Sequence, residues 1–327
     1  MNNIIAVDIG GTNSRFAHFT LDDTGRLSFI GKLQLKTVET SSLDDLVGKV
    51  RQEEGPMVSS GKWDAAVFAV PGAVEGNTRA KLANVAWAVD ISGLRQRFPD
   101  KKIFLINDFV AQAYACPLED KTEQKIVQEG HREEGAAMAV IGAGTGLGHC
   151  ALATDDLGGF TAVPSEAGHA CFPFYGKTES AYQDYLLKAT GAAYPYGDLV
   201  VSGPGLSHLH AFLTGRKLAP REIVQEIVPD SETTALFARF YARACRNYTL
   251  TVLATGGLFI AGGVAMKNPF LVVNDHFRKE FNNSEHFGAM LGKVPVRLIL
   301  SEDSGLWGAA NYGAIRLKED HKDSGHG

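Results

Sequence analysis

Two glycine-rich segments of the sequence could bind phosphate groups. The first is Asp8-Ile9-Gly10-Gly11-Thr12-Asn13, and the second is Gly142-Ala143-Gly144-Thr145-Gly146-Leu147-Gly148. Glycines let a tight hairpin bring backbone N–H groups close to a phosphate, and Thr and Asn side chains add donors. The candidate phosphate-binding residues are Gly10, Gly11, Thr12, Asn13, Gly144, Thr145 and Gly146. An ordinary Gly-Gly turn would look the same, because short glycine motifs have many false positives.

The second segment does not match the common nucleotide-binding motifs. The third glycine of a G-x-G-x-x-G pattern would fall on Leu147 or His149, and the residues that follow read as a strand rather than a helix. The Gly-Lys-Ser/Thr ending of a P-loop is also missing. A phosphate-binding hairpin fits better than either motif, and a flexible loop is the structural alternative.

Two aspartates stand at the ends of predicted strands. Asp8 could hold Mg²⁺, directly or through water. Asp108 follows a buried strand and precedes a helix, so it lies at a strand C-terminus, where open α/β sheets place ligands. An Asp in this position can accept the proton of a substrate hydroxyl during phosphoryl transfer. The alternative is that Asn107 and Asp108 only cap the helix.

Glu166 and His169 lie three residues apart in a turn that contains Ala and Gly. A carboxylate and an imidazole are good partners for vicinal sugar hydroxyls. Metal binding is less suited, since no third ligand lies nearby in the sequence. A surface loop with a chance pair is the alternative.

Three further features could contribute to a binding site. Gly262 and Gly263 follow an apolar strand and would let a purine or ribose lie against bare backbone, although they could simply form a turn before the next helix. Asn84 and Trp87 could line the same site, although a buried Trp is more often part of the core. Ser202 reads as the N-cap of a helix.

Strands alternate with helices along the chain, which predicts an α/β protein. The first three strands are predicted to form an antiparallel meander. The predicted strands are 4–8, 14–21, 27–35, 65–70, 102–106, 137–141, 149–154, 258–261 and 296–300. The predicted helices are 40–54, 110–116, 180–189, 204–214, 220–227, 232–254, 269–281 and 303–317. A short helix is predicted to begin at Asp90. The polar segment after Leu317 is expected to be frayed.

The two glycine segments share a layout of apolar strand, glycine turn with a Thr, and second strand. Such a repeat, with one copy in each half of the 327-residue chain, suggests a duplicated fold with a cleft between the halves. The length also favours two domains.

Composition narrows the class of protein. Hydrophobic residues make up 45% and charged residues 21% of the chain, with a net charge of −5, so we expect a soluble globular protein with no nucleic-acid surface. No apolar stretch approaches the length of a membrane span, and the N-terminus reads as a strand rather than a signal peptide. Four scattered cysteines without a CxxC pair predict reduced thiols and a cytoplasmic location.

Taken together and in order, these motifs resemble the bacterial glucokinase family, a branch of the sugar kinase, Hsp70 and actin superfamily. The resemblance runs from Ile4 to about Ile315. It rests on the two phosphate segments, the Gly257–Gly263 segment, which is similar to the adenosine motif, and Ile106-Asn107-Asp108-Phe109, which is similar to the sugar-binding and catalytic segment.

The resemblance implies a two-domain ribonuclease H-like (actin-like ATPase) fold with ATP in an interdomain cleft. The smaller domain would comprise residues 1–109 and 303–327, and the larger one residues 110–302. The resemblance also implies Mg²⁺ dependence, a homodimer, and transfer of the ATP γ-phosphate to the 6-hydroxyl of glucose with Asp108 as the base. The implied sugar-binding residues are Asn84, Asn107, Asp108, Glu166, His169 and Asp198.

The sequence departs from the family pattern at two positions. Ala167 replaces the first glycine of a Glu-Gly-Gly-His turn, which is tolerable unless that residue has a positive φ. Asp198 stands where the family usually has a sugar-binding Glu, and its shorter side chain would miss the hydroxyl or reach it through water. The zinc segment of the related repressor-and-kinase sugar kinases is absent.

Other functions remain open at this point. The first is a kinase for another hexose or an amino sugar. The second is a sugar-sensing regulator without catalysis, against which the two glycine segments, Asp8 and Asp108 argue. A chaperone-like ATPase is disfavoured, because no peptide-binding domain follows the nucleotide core.

Overall fold

The computed structural model describes residues 1–52, 62–82, 85–155 and 158–323. The chain forms two compact units, which are described separately. The first comprises Met1–Thr122 together with Glu302–Gly327, and the second comprises Glu123–Ser301. No helix in the described part of the chain is both long enough and apolar enough to cross a membrane.

The first unit is built on a five-stranded sheet and carries a small three-stranded sheet. Its strands are β1 (Asn2–Ile9), β2 (Asn13–Leu21), β3 (Leu27–Lys36), β4 (Ala65–Val70), β5 (Val74–Glu75), β6 (Arg79–Lys81), β7 (Ala88–Asp90) and β8 (Lys102–Asn107). The main sheet has the order β3-β2-β1-β4-β8. Strands β1, β2 and β3 pair antiparallel, which confirms the predicted meander, and β4 and β8 run parallel to β1. Strands β5–β7 were not predicted, because two or three residues are too few to show alternation.

The second unit is built on a six-stranded sheet. Its strands are β9 (Gln124–Gln128), β10 (Met138–Ala143), β11 (Leu147–Thr154), β12 (Phe160–Ser165), β13 (Leu258–Ala261) and β14 (Val296–Ile299). The order is β12-β11-β10-β13-β14-β9, with β10, β11 and β12 antiparallel and β10, β13 and β14 parallel. This is the arrangement of the first sheet with one antiparallel edge strand added, so the predicted internal repeat is confirmed in the topology.

The helices, in chain order, are α1 (Leu43–Gln52), α2 (Ser92–Arg97), α3 (Asp108–Ala115), α4 (Gly176–Thr190), α5 (Gly197–Val200), α6 (Gly203–Thr214), α7 (Pro220–Glu226), α8 (Glu232–Val252), α9 (Gly263–Lys267), α10 (Asp275–Phe281), α11 (Gly288–Leu291) and α12 (Ser304–Asp323). The single helix predicted over 269–281 is wrong: a 3₁₀ turn at Pro269–Leu271 is followed by α10, because the Asn274 side chain accepts the Phe277 N–H and caps a new helix. The fraying predicted after Leu317 is also wrong as far as Asp323, where α12 ends.

The main sheet of the first unit is covered on both faces, as the alternation along β1 requires. Ile5 and Val7 belong to one core cluster, whereas Ile4 and Ala6 belong to another, which the C-terminal helix α12 completes. Helix α12 packs closely on α3, since a Cβ at Gly308 would lie 1.7 Å from the Ala111 carbonyl oxygen. Helix α3 is thereby held in the first unit.

A buried ion network lies in the core of the second unit. Arg243 on α8 is fully buried and donates to Glu179 Oε2 on α4 at 2.6 Å and to Glu280 Oε1 on α10 at 2.9 Å. Its guanidinium also donates to the Pro173 carbonyl and lies 4.3 Å from the centre of the Tyr175 ring. The network therefore ties the segment before α4 to two other helices.

Candidate active site

The first glycine segment forms the turn between β1 and β2. The Gly10 N–H donates to the Asn13 carbonyl at 2.9 Å, and a Cβ on Gly10 would come to 3.0 Å from the same oxygen. Glycine at position 10 therefore keeps the turn tight, while Thr12 and Asn13 are exposed at its tip.

Asp8 is the penultimate residue of β1 and lies directly opposite Arg15 on β2. The Arg15 guanidinium donates to Asp8 Oδ2 and to the Glu302 carbonyl, and it lies 3.8 Å from Asp303 Oδ1. Arg15 therefore fixes the Asp8 carboxylate beside the glycine turn. Sequence reasoning did not single out Arg15. The register of the predicted hairpin was the available signal, because pairing of Ile9 with Ser14 places Arg15 opposite Asp8.

Asn107, and not Asp108, is the N-cap of the helix that begins at Asp108. Asn107 is the N-cap of α3, because its Oδ1 accepts the N–H groups of Phe109 at 2.8 Å and Val110 at 3.4 Å. The Asn107 amide donates to the Gly72 carbonyl at 3.0 Å, which holds the loop after β4. Asp108 is the first helical residue, partly buried, with Oδ1 2.9 Å from the Phe109 N–H.

The second glycine segment forms the turn between β10 and β11. The Gly144 N–H donates to the Gly146 carbonyl at 2.8 Å, and the Gly203 N–H donates to the Gly144 carbonyl at 2.9 Å. Gly144 and Thr145 are exposed at the tip. The predicted hairpin is confirmed, and the hydrogen bond from Gly203 anchors it to the first residue of α6.

The Glu166–His169 turn is a single 3₁₀ turn that follows β12. The His169 N–H donates to the Glu166 carbonyl at 3.0 Å, and both side chains are exposed. Ala167 packs against the hydrophobic core and is not among the described residues with positive φ. Its methyl group is therefore accommodated, as expected if its φ is negative.

Two tyrosines that sequence reasoning missed lie beside His169. The Tyr196 ring centre is 5.6 Å from that of His169, and the Tyr194 hydroxyl donates to the His169 carbonyl at 3.2 Å. The backbones of the two segments pair as well, through Phe172 N–H to Pro195 O at 2.9 Å. The Tyr-Pro-Tyr sequence just before Asp198 was the available signal, because a Tyr has both an apolar ring and a polar tip.

Asp198 lies on α5, between the second hairpin and the Glu166–His169 turn. Its Oδ1 accepts the Leu147 N–H at 2.9 Å. A Cβ on Gly146 would lie 2.5 Å from Oδ2, and a Cβ on Gly168 would lie 2.2 Å from Oδ1. The carboxylate is thus enclosed by two glycines on neighbouring segments.

The candidate adenosine-binding glycines follow β13. Gly262 has a φ of +86°, and a Cβ there would lie 2.5 Å from the Ala143 carbonyl oxygen, so packing alone requires glycine. A Cβ on Gly263 would meet no heavy atom within 4 Å. Gly263 therefore leaves open space beside the end of β10.

Of the remaining candidate residues, Asn84 lies outside the described residues, and Trp87 and Ser202 have structural contacts. Trp87 packs against the core and donates its indole N–H to the Thr40 carbonyl at 2.9 Å, which favours the structural interpretation. Ser202 caps α6 by accepting the Gly205 N–H at 3.0 Å, as predicted. All four cysteines are free, also as predicted.

Within the described ranges, no three His, Cys, Asp or Glu residues cluster closely enough to hold a metal ion. Mg²⁺ in nucleotide sites is typically held by one or two carboxylates together with phosphates and water. Asp8, a carboxylate beside a candidate phosphate-binding turn, fits that kind of site.

His149 on β11 is a buried neutral histidine next to the second hairpin. Burial lowers its pKa to about 4, against a hydrogen bond between Nδ1 and the Leu147 carbonyl that raises it. In the unfolded chain, His149 takes up a proton near its ordinary pKa of about 6.5, whereas in the native state it stays neutral until about pH 4. The free energy of unfolding therefore decreases as the pH falls from about 6.5 towards 4.

We expect this loss to reach about 3 kcal/mol in the unfolding free energy. Urea unfolding at several pH values should show a steeper decline for the wild type than for His149→Gln, which cannot take up the proton. His286, in the loop between α10 and α11, provides the matched control. His286→Gln should show the same pH dependence of unfolding as the wild type. If His149→Gln also did so, His149 would not be the source of the decline.

Both units contain the same assembly, a β-hairpin with a glycine turn followed by parallel strands. This duplicated arrangement, together with the likeness to solved sugar kinases, defines the actin-like ATPase fold.

Comparison with known proteins narrows this class. The profile of the family described as Glucokinase matches residues 5–315. A glucokinase from Nostoc sp. (strain PCC 7120 / SAG 25.82 / UTEX 2576) is 31% identical over 341 residues, covering 95% of this chain and 98% of the relative. The crystal structure of a glucokinase from an Antarctic psychrotroph has a TM-score of 0.83 at 25% identity and covers 96% of this chain and 99% of its own.

A ROK family glucokinase from Streptomyces griseus, solved in complex with glucose and AMPPNP, has a TM-score of 0.56 at 19% identity, with coverage of 95% of this chain and 99% of its own. At that identity it supports the fold. The family profile and the Nostoc relative go further: the chain belongs to the glucokinase family.

Proposed function

We propose that the protein is a glucokinase, which transfers the γ-phosphate of ATP to the 6-hydroxyl of glucose and releases glucose 6-phosphate and ADP. Membership in the family supports the reaction. The Streptomyces griseus structure, which holds glucose and AMPPNP, supports the pair of substrates.

The observation that carries the proposal is the division of roles between Asn107 and Asp108. The N-cap of α3 is Asn107, so the neighbouring carboxylate is not needed as the cap. Asp108 stands at the C-terminal end of a parallel strand, on a helix that α12 holds in place through Gly308 and Ala111. In the proposed reaction Asp108 accepts the proton of the 6-hydroxyl as that oxygen attacks the γ-phosphorus.

The proposed sugar-binding groups are exposed polar side chains on anchored turns. Glu166 and His169 hydrogen bond to sugar hydroxyls, and the Tyr196 ring restricts the imidazole of His169. Asn107 adds an amide whose orientation is fixed by Gly72. Side chains held by second contacts of this kind lose less entropy when a ligand binds.

The two glycine hairpins hold the phosphates of ATP through backbone N–H groups and the Thr12 and Thr145 hydroxyls. Gly263, whose Cβ position is open, lets the adenosine approach bare backbone, while Gly262 allows the close approach to Ala143 beside it. Asp8 would hold Mg²⁺, directly or through water, and the ion would supply positive charge beside the transferred phosphate. Arg15 orients Asp8 for this role.

ADP release from Mg²⁺ATP across a hexose panel tests the proposal. We expect the highest kcat/KM with glucose, lower values with mannose, galactose and glucosamine, and no ADP above background with 6-deoxyglucose, which lacks the attacking hydroxyl. A higher kcat/KM with another sugar would replace glucose as the substrate. ADP release that no sugar stimulates would remove the kinase assignment.

The proposal also covers the location of the protein and its assembly. We propose a cytoplasmic enzyme, since its four thiols are free and three of them are buried. We also propose a homodimer, as the family resemblance implies. Light scattering during size-exclusion chromatography would show a mass near 35 kDa if the protein were instead a monomer.

A further inference from the structure

The carboxylate of Asp198 connects two parts of the proposed site within the second unit. It accepts the Leu147 N–H at the end of the second hairpin, and it lies against Gly168 in the middle of the Glu166–His169 turn. We infer that Asp198 is a positioning residue that couples this turn to the phosphate-binding hairpin, and that sugar binding depends on Glu166 and His169 instead. The inference rests on the proposed function.

The hydrogen bond from the Leu147 N–H occupies Oδ1 of the Asp198 carboxylate. A carboxylate that accepts a backbone N–H forms a charge-assisted bond, shorter and stronger than a neutral one. The main chain of Leu147 is held on its other side as well, because its carbonyl lies 3.1 Å from His149 Nδ1. Leu147 is therefore fixed through both its N–H and its carbonyl, directly after the exposed hairpin tip.

The glycines around Asp198 show how closely the three segments approach. Cβ atoms on Gly146 and Gly168 would lie within 2.5 Å and 2.2 Å of the Asp198 oxygens. A Cβ on Gly197 would lie 3.0 Å from the Gly168 carbonyl oxygen. With no side chains between them, a shift of the Glu166–His169 turn is transmitted to the hairpin through the Asp198 carboxylate and through the close packing of Gly168 on the Leu147 carbonyl.

The length of the side chain supports this role. Asp198 lies on α5, and its side chain accepts the Leu147 N–H. The backbone of Asp198 is held as well, because the Ser202 hydroxyl donates to its carbonyl. A Glu at this position has one more methylene, so its carboxylate would extend past the Leu147 N–H. Aspartate therefore extends less far than glutamate would, and its carboxylate contacts the Leu147 N–H of the hairpin.

The test compares Asp198→Ala with Asp198→Asn, which keeps an oxygen acceptor at the same reach. Amide hydrogen exchange of Leu147 is measured without ligands, and glucose affinity is measured by calorimetry without nucleotide. We expect Asp198→Ala to speed Leu147 exchange at least tenfold and to raise the KM for Mg²⁺ATP about tenfold, while glucose affinity changes less than threefold. Asp198→Asn should restore most of the protection.

Asp184→Asn, an exposed change on α4, serves as the matched control and should leave all three readouts unchanged. Unaltered Leu147 exchange in Asp198→Ala overturns the inference. So does a loss of glucose affinity of thirtyfold or more in both Asp198 variants, because that result identifies a direct sugar ligand. Failure of the proposed function would appear separately, as absence of glucose-dependent ADP release in the wild type.

Discussion

Asp108→Asn should lower kcat for glucose phosphorylation by about 10²–10⁴, the usual contribution of a general base. The amide keeps the size of the side chain and can still accept from the Phe109 N–H, but it cannot take the hydroxyl proton. Glucose affinity should change little, because Asn107 remains the cap of α3. Coupled measurement of ADP, with calorimetry for glucose binding, separates the two effects.

Asp100→Asn is the matched control for this experiment. Asp100 is exposed in the turn after α2 and lies 3.5 Å from Lys101 Nζ, so its replacement should leave kcat unaltered. Thermal unfolding of Asp108→Asn should stay close to that of the wild type. A kcat near the wild-type value in Asp108→Asn would show that another group accepts the proton.

Arg243→Met should lower the free energy of unfolding by about 3–5 kcal/mol, because removing one partner leaves buried charges without compensation. Glu179 is only 2% exposed and Glu280 only 6%, and both accept hydrogen bonds from Arg243. Methionine fills much of the volume, so the loss reports the charges rather than a cavity. Urea unfolding monitored by circular dichroism measures it.

The same network predicts how the deficit depends on pH. Burial raises the pKa of Glu179, but the hydrogen bonds from Arg243 and the Tyr175 N–H, together with the charges of Arg243 and Arg239, outweigh it, so the pKa is lowered in the native state. Its stabilisation is therefore present above the unfolded pKa and is lost as the pH falls. The difference between wild type and Arg243→Met should be largest near neutral pH and should narrow on acidification.

Arg239→Met controls for the loss of any arginine that contacts Glu179. Arg239 Nη2 lies 2.8 Å from Glu179 Oε1, but its side chain is 39% exposed, so the expected loss is below about 1 kcal/mol. Equal losses in the two variants would contradict the role given to burial.

Sequence patterns predicted the regular elements best where local signals agree. The strands of both hairpins and the 21-residue α8 have clear periodicity, and they were found with ends within a few residues. Elements held by distant contacts were missed, such as β12, which forms an edge of the second sheet by pairing with β11. The break between the 3₁₀ turn and α10 depends on one side chain, Asn274, whose capping role competes with a continuous helix.

The candidate site shows the same division. Residue types and order were enough to predict Asp8, Asp108 and both glycine turns as site residues, since the chemistry proposed for them is carried by the residues themselves. The partner of Asp198 could not be predicted, because Leu147 lies 51 positions away and the contact depends on tertiary packing. Arg15 and Tyr196 act by orienting other side chains, and such roles leave little trace in a single sequence.

The route of the chain through the first unit has a consequence for biosynthesis. Residues Glu302–Gly327 complete the first unit, and Leu306, Ala309 and Ala310 fill one face of its core. On the ribosome these residues emerge only after all of Glu123–Ser301. The helix that carries Asp108 therefore gains its packing partner last, and the second unit can acquire its fold while the first still awaits its final segment.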